Sequence, residues 1–220
     1  MAISQGIHGP VLGPLASLVM NGVLIGICMV LLFHKKWRRD DGFLPLFSMV
    51  MVVSLGRVLL APLPNIQPVT VACLIAGASL GARRGMSFAV LVTVISNAFL
   101  GTGVWTIFQA SGWAAIAYLG SKLELANHHI LNQKRLLLAA IFVSPLFNWW
   151  VSVSIFLEGM SIFNFIIYLA HGLPFDALHL LGSAAFAVWL GPWFFQNLTL
   201  AVGDQRAETV MKDVLSLIHI

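Results

Sequence analysis

Apolar residues run along this chain in stretches far longer than the period-2 or period-3.6 patterns of a water-soluble core, and the charged residues sit in the gaps between them. A helix needs about 20 such residues to cross roughly 30 Å of hydrocarbon. The first run covers 11–33 and is closed by Lys35, Lys36, Arg38 and Arg39. The second, 43–61, ends at Pro62, Pro64, Asn65 and Pro68, which cannot continue a helix. The third, 69–80, is short and stops at Gly81, ahead of Arg83 and Arg84. An uncharged stretch over 85–121 is split by Gly101, Thr102 and Gly103 into two helices with a tight turn. A polar loop holding Lys122, Glu124, His128, His129, Lys134 and Arg135 follows, then the run 136–157, closed by Glu158 and Gly159. Residues 161–170 are apolar but only half a span long. With His171, Gly172 and Pro174 behind them, they predict an interfacial or re-entrant helix, followed by a last span over 175–189.

Composition agrees with this pattern. Of the 220 residues, 59% are hydrophobic and 9% charged, where a soluble domain carries roughly 25% charged residues. The expectation is an all-α polytopic membrane protein with seven spans and no room for a polar catalytic domain. Threading the spans alternately, with the N-terminus outside, places the loops 34–42, 82–84 and 122–135 and the tail from Asp204 on one side. All but one of the twelve Lys and Arg residues fall there. By the positive-inside rule that side is the cytoplasm of a cell-membrane protein, with a cytoplasmic C-terminus. The charge order around the first span is the reverse of a secretory signal peptide, so that span stays as an anchor. The basic balance therefore calls for no nucleic-acid partner. Cys28 and Cys73 lie inside apolar runs, which excludes a disulfide framework.

The remaining cation is Arg57, inside the second span, four or five residues from its outer end. An ion at that depth is a functional-site candidate, since it is costly unless paired or snorkelling. Other polar residues in apolar sequence map to the same outer half: Asn65 and Gln67 after the second span, Asn97 near the end of the fourth, Gln109 with Trp105 and Trp113 in the fifth, and Asp176 and His179 opening the last. Together they suit a cavity for a compact, partly polar organic solute, with the tryptophans alternatively serving as an interfacial belt. Asp176 is a candidate ion-pair partner for Arg57. His128 and His129 lack metal-site spacing, and no metal or cofactor is expected. No GxxxxGK[ST] loop is present, so any nucleotide-derived energy comes from another chain. Gly22 with Gly26, Gly77 with Gly81, and Ala110 with Ala114 mark flat helix faces for packing or for a partner subunit.

The segments Gly56-Arg57, Leu63-Pro64-Asn65-Ile66-Gln67-Pro68-Val69-Thr70, Leu80-Gly81-Ala82-Arg83-Arg84-Gly85, Ser96-Asn97 and Leu100-Gly101-Thr102-Gly103-Val104-Trp105-Thr106, with Gln109 and Trp113, resemble the substrate-binding S component of energy-coupling factor (ECF) transporters. The LPN-x-QPVT loop and the glycine turn are similar to the branch associated with cobalamin uptake, as is Gly172-Leu173-Pro174-Phe175-Asp176-Ala177-Leu178-His179. The likeness covers about residues 43–195. It implies a six-helix core over 43–203, preceded by an extra transmembrane helix and basic loop over 1–42 and followed by a tail over 204–220. It also implies no enzymatic activity, and association with a coupling transmembrane subunit and two cytoplasmic ATPase subunits. Val104 and Ile107 stand where the branch has prolines, and the first core helix, with Phe47 to Ser54, lacks the Ala-x-x-x-Ala patch through which S components dock.

The function expected is capture of a vitamin-like solute, cobalamin or a related corrinoid, at the outer face for ATP-driven uptake. Arg57, Asn65, Gln67, Asn97, Trp105, Gln109, Trp113, Asp176 and His179 would line the site. Arg57 would hold a phosphate or carboxylate, the amides would bind ligand amides, and the tryptophans would cover an apolar face. Two other classes stay open. An ion-gradient-driven secondary transporter needs a coupling carboxylate near the midplane, whereas the only acid inside a span, Asp176, is expected near its outer end. A membrane enzyme acting on lipid would have Asp176 and His179, at i and i+3, as its candidate pair.

Overall fold

The computed structural model describes residues 5–6, 9–10, 12–33, 43–127, 130–156 and 159–199. The basic cluster Lys35 to Arg39, the pair His128 and His129, Glu158 and the polar tail lie outside the described residues. The fold is overwhelmingly helical: α1 (Pro14–Phe33), α2 (Phe43–Leu59), α3 (Val69–Leu80), α4 (Ala82–Leu100), α5 (Trp105–Gly120), α6 (Gln133–Phe156) and α7 (Ile162–Trp189), with a short α8 over 191–199. Two antiparallel pairs of two-residue strands complete it: β1 (Gln5–Gly6) with β2 (Gly9–Pro10), and β3 (Ala126–Asn127) with β4 (Ile130–Leu131).

The helix boundaries follow the sequence. Gly81, at φ 81°, and Gly101, at φ 100°, adopt left-handed backbone that a side chain would strain, and they end α3 and α4 where the apolar runs stop. Ser161 caps α7 by accepting a hydrogen bond from the Asn164 N–H. Three helices, α1, α6 and α7, are long and apolar enough to cross a membrane, while α2 and α3 are apolar but shorter.

One expectation is corrected. Residues 162–189 form a single helix rather than an interfacial half-helix followed by a separate span. Pro174 stands inside it, as Pro145 does inside α6. A proline removes one backbone bond and crowds the preceding turn, yet a helix packed along its length can absorb both. Here α7 lies against α6 over a long contact, with the Gln133 side chain donating to the Ala187 carbonyl at 2.6 Å to tie their ends.

Helix α3 is the hub. It packs against α4 and α5, and also touches α2, α6 and α7, and every residue from Val69 to Gly77 is buried. Close approach is set by glycine: a Cβ on Gly77 would overlap the Ala117 carbonyl, one on Gly120 the Leu74 carbonyl, and one on Gly85 the Gly77 backbone. By contrast α1 leans mainly on α4 through Leu24, Cys28 and Leu32, one stripe at i, i+4 and i+8.

Candidate functional site

Where α2 and α4 finish and α3 and α5 begin lies a continuous buried polar network that reaches α6 and α7 well inside those helices, at Asn148, Asp176 and His179, so that Asp176 and His179 stand mid-way along α7 rather than opening the last span. It has two halves. At the centre of the first is Arg57, in the last turn of α2 and 3% exposed. Its Nη1 donates to the Ser96 hydroxyl and to Asn97 Oδ1 (2.7 Å), both on α4. Its Nε donates to Gln67 Oε1 (3.2 Å), on the loop that leads into α3. The guanidinium carbon stands 4.8 Å from the ring centroid of Trp113 on α5, a cation–π contact. Asn97 is itself held: its Nδ2 donates to Thr106 Oγ1 and Gln109 Oε1, both at 3.0 Å, which turns its carbonyl oxygen toward Arg57.

The second half belongs to α3, α6 and α7. Asp176, 8% exposed, accepts from Asn148 Nδ2 at 2.8 Å and from Trp149 Nε1 at 2.9 Å. With its amide nitrogen on the carboxylate, Asn148 presents Oδ1 to His179 Nδ1 at 2.8 Å. An amide oxygen only accepts, so Nδ1 carries the proton there. In the neutral ring, Nε2 then accepts from the Thr70 hydroxyl at 3.0 Å. Thr70 in turn receives the Trp113 indole N–H at 3.4 Å, which joins the two halves. Phe147 seals the junction, stacked on Trp113 with centroids 4.5 Å apart and edge-on to His179 at 5.7 Å.

Of the residues predicted from sequence, Arg57, Gln67, Asn97, Gln109 and Trp113 come together in the first half, and Asp176 and His179 in the second. Asn65 and Trp105 serve the loops that border the network. Asn65, at φ 59°, donates to the Phe175 carbonyl and ties its loop to α7. Trp105 is buried beneath the glycine turn, where a Cβ on Gly103 would overlap its ring. The candidate Arg57–Asp176 ion pair is not formed: both groups have neutral hydrogen-bond partners. Asp176 and His179 do not bond each other either, because Asn148 stands between them.

Sequence reasoning did not select Thr70, Ser96, Thr106, Phe147, Asn148 or Trp149. Asn148 carried a usable signal, being the one amide in the uncharged run 136–157. Thr70, Ser96 and Thr106 stand in the segments that carry the resemblance, but nothing local marked them as members of the network, since a helical Ser or Thr commonly bonds its own preceding turn, as Ser96 does to the Val92 carbonyl. Among the described residues no three His, Cys, Asp or Glu side chains gather to hold a metal ion, and Cys28 and Cys73 are free and buried.

Residues 38–202 match the model of a family described as a family of unknown function (DUF6580), well over half of the chain. The chain belongs to this family. No curated protein and no solved structure matches it. The DUF6580 segment begins after α1 and takes in α2 to α7, so every residue of the polar network falls inside the family region while the peripheral α1 falls outside it.

Proposed function

We propose that this DUF6580 chain is the membrane-embedded solute-binding subunit of an ECF-type importer, capturing a vitamin-like solute, with cobalamin or a related corrinoid favoured, at the outer face of the cell membrane. Six core helices over 43–203 form the binding unit and the helix within 1–42 is an addition to it. The N-terminus lies outside and the C-terminus in the cytoplasm. A coupling transmembrane subunit and two cytoplasmic ATPase subunits supply the energy, consistent with a sequence that holds no nucleotide-binding loop. The chain itself performs no chemical conversion.

One observation carries this reading. Six helices, from α2 to α7, each send polar side chains into one buried network, which includes a cation whose partners are all neutral. Buried polar groups are costly in an apolar bundle. Convergence of this kind suits recognition of a partly polar solute. The loop over 60–68, folded into successive turns, and the glycine turn border the Arg57 side of this network, where a ligand would enter.

The test is to purify the full chain from native-like membranes and identify the small molecule that travels with it by mass spectrometry. Cobalamin or another corrinoid is expected, released stoichiometrically on denaturation. A different vitamin would remove the corrinoid assignment and keep the class. Uptake that persists without any ECF ATPase and collapses with a proton uncoupler would replace the proposal by secondary transport.

A further inference from the structure

The donors around Arg57 outnumber the acceptors. A guanidinium offers five N–H groups in a rigid fork and accepts nothing. Nη1 is committed to Ser96 and Asn97, and Nε to Gln67, while among the described residues Nη2 makes no hydrogen bond. Gln109 is in the same position. Its Oε1 is taken by Asn97, and its Nε2 amide has no partner among the described residues. Two side chains bonded to one asparagine thus carry spare donors, and one of them bears a full positive charge at 3% exposure with no carboxylate in ion-pairing distance among the described residues. Desolvating a cation without a counter-charge is expensive.

We propose that Arg57 is the docking point for an anionic group, a carboxylate or a phosphate, carried by the solute, and that Gln67 holds the place this group would take. This deepens the solute-binding reading and rests on it. The Nε and Nη2 edge of a guanidinium matches two oxygens of an oxyanion. In the structure a neutral amide oxygen occupies the Nε half of that edge and the Nη2 half has no partner among the described residues. Gln67 is half-buried on the loop leading into α3, so an arriving anion displaces it by moving that side chain or that loop, not a core helix. The committed side of the fork does not need to change: Asn97 is fixed by Thr106 and Gln109.

A solute and a phospholipid headgroup both offer this chemistry, and the experiment separates them. The full chain in dodecylmaltoside is titrated with matched probes, each an anion-bearing compound and a counterpart lacking only that charge: pantothenate against pantothenol, biotin against biotinamide, and a cobalamin side-chain monocarboxylate against cyanocobalamin. At least one anionic probe is expected to bind about tenfold more tightly than its counterpart. Arg57→Lys, which keeps the charge and loses the fork, should abolish that preference. Gln67→Glu, which installs a carboxylate on Nε, should abolish it too while raising the melting temperature, and it serves as the decisive variant if Arg57→Lys does not fold. No preference within any pair, or a preference that survives both substitutions, overturns the proposal. Copurification of an uncharged vitamin whose affinity is the same in Gln67→Glu also overturns it and leaves the solute-binding reading standing. In nanodiscs, binding of phosphatidylglycerol that Gln67→Glu abolishes, with no binding of the soluble probes, keeps the anion on Arg57 but overturns a solute as its source, and the solute-binding reading with it.

Discussion

Helices α1 and α3 are both uncharged and apolar, yet α3 buries nine of its twelve residues, Val69 to Gly77, without a break, whereas α1 buries three of its twenty, Leu24, Cys28 and Leu32. Composition does not separate them. What differs is what their small residues meet. Gly77 lies where any side chain would run into the backbone of α5, while Gly22 and Gly26 of α1 have nothing within 4 Å of where a Cβ would stand. Between helices in lipid the solvent gives little reward for apolar contact, so close backbone approach and internal hydrogen bonds decide which helix becomes the hub. Helix α3 has both, glycine contacts toward one end and Thr70, bonded to Trp113 and His179, at the other.

Substitutions on the two helices can break that comparison. The largest effect is expected from Gly77→Val, which forces α3 off α5 and should cost about 3 kcal/mol or more, read as a drop in melting temperature and in monodisperse yield in detergent. Wild-type behaviour there would mean that α3 is not held by close packing. Next comes Thr70→Val. It conserves shape but removes the acceptor of the Trp113 N–H and the donor to His179, leaving buried polar atoms unsatisfied at a cost of about 1–3 kcal/mol. On the proposed solute-binding reading, solute affinity falls with it, because Trp113 also covers Arg57. Were Asn148→Leu, which cuts the same chain one link further on, additive with Thr70→Val in a double-mutant cycle, the network would not act as a unit. The smallest effect belongs to Gly26→Val on α1, expected within about 0.5 kcal/mol of wild type. A large loss there would show that the exposed face of α1 is covered by a partner.

Part of the site is legible in the sequence. Arg57 is conspicuous as the one cation inside an apolar run, and Asn97, Gln109 and Asp176 as polar residues in otherwise apolar stretches. Their pairing is not legible. Opposite charges in one polar half invite an Arg57–Asp176 ion pair, but each charge is bonded instead to neutral groups on its own side of the bundle, Arg57 to Gln67, Ser96, Asn97 and the Trp113 ring, Asp176 to Asn148 and Trp149. Which of two polar groups lies within 3 Å depends on helix rotation, and runs that are apolar on nearly every face do not reveal it. Pro174 misleads in the other direction, since a proline ends a helix only where no neighbouring helix supports it.

The order of apolar runs, the glycines that end α3 and α4, the clustering of cations between runs and the isolation of Arg57 were settled by the sequence alone, because each depends on local backbone freedom or on the cost of a charge in an apolar stretch. The continuity of α7 through Pro174, the central place of α3, the threading of Thr70 and Asn148 into one network and the neutral surroundings of Arg57 were decided only by the tertiary structure. Those depend on which faces of separate helices meet, and no local pattern records that α3 lies among α2, α4, α5, α6 and α7.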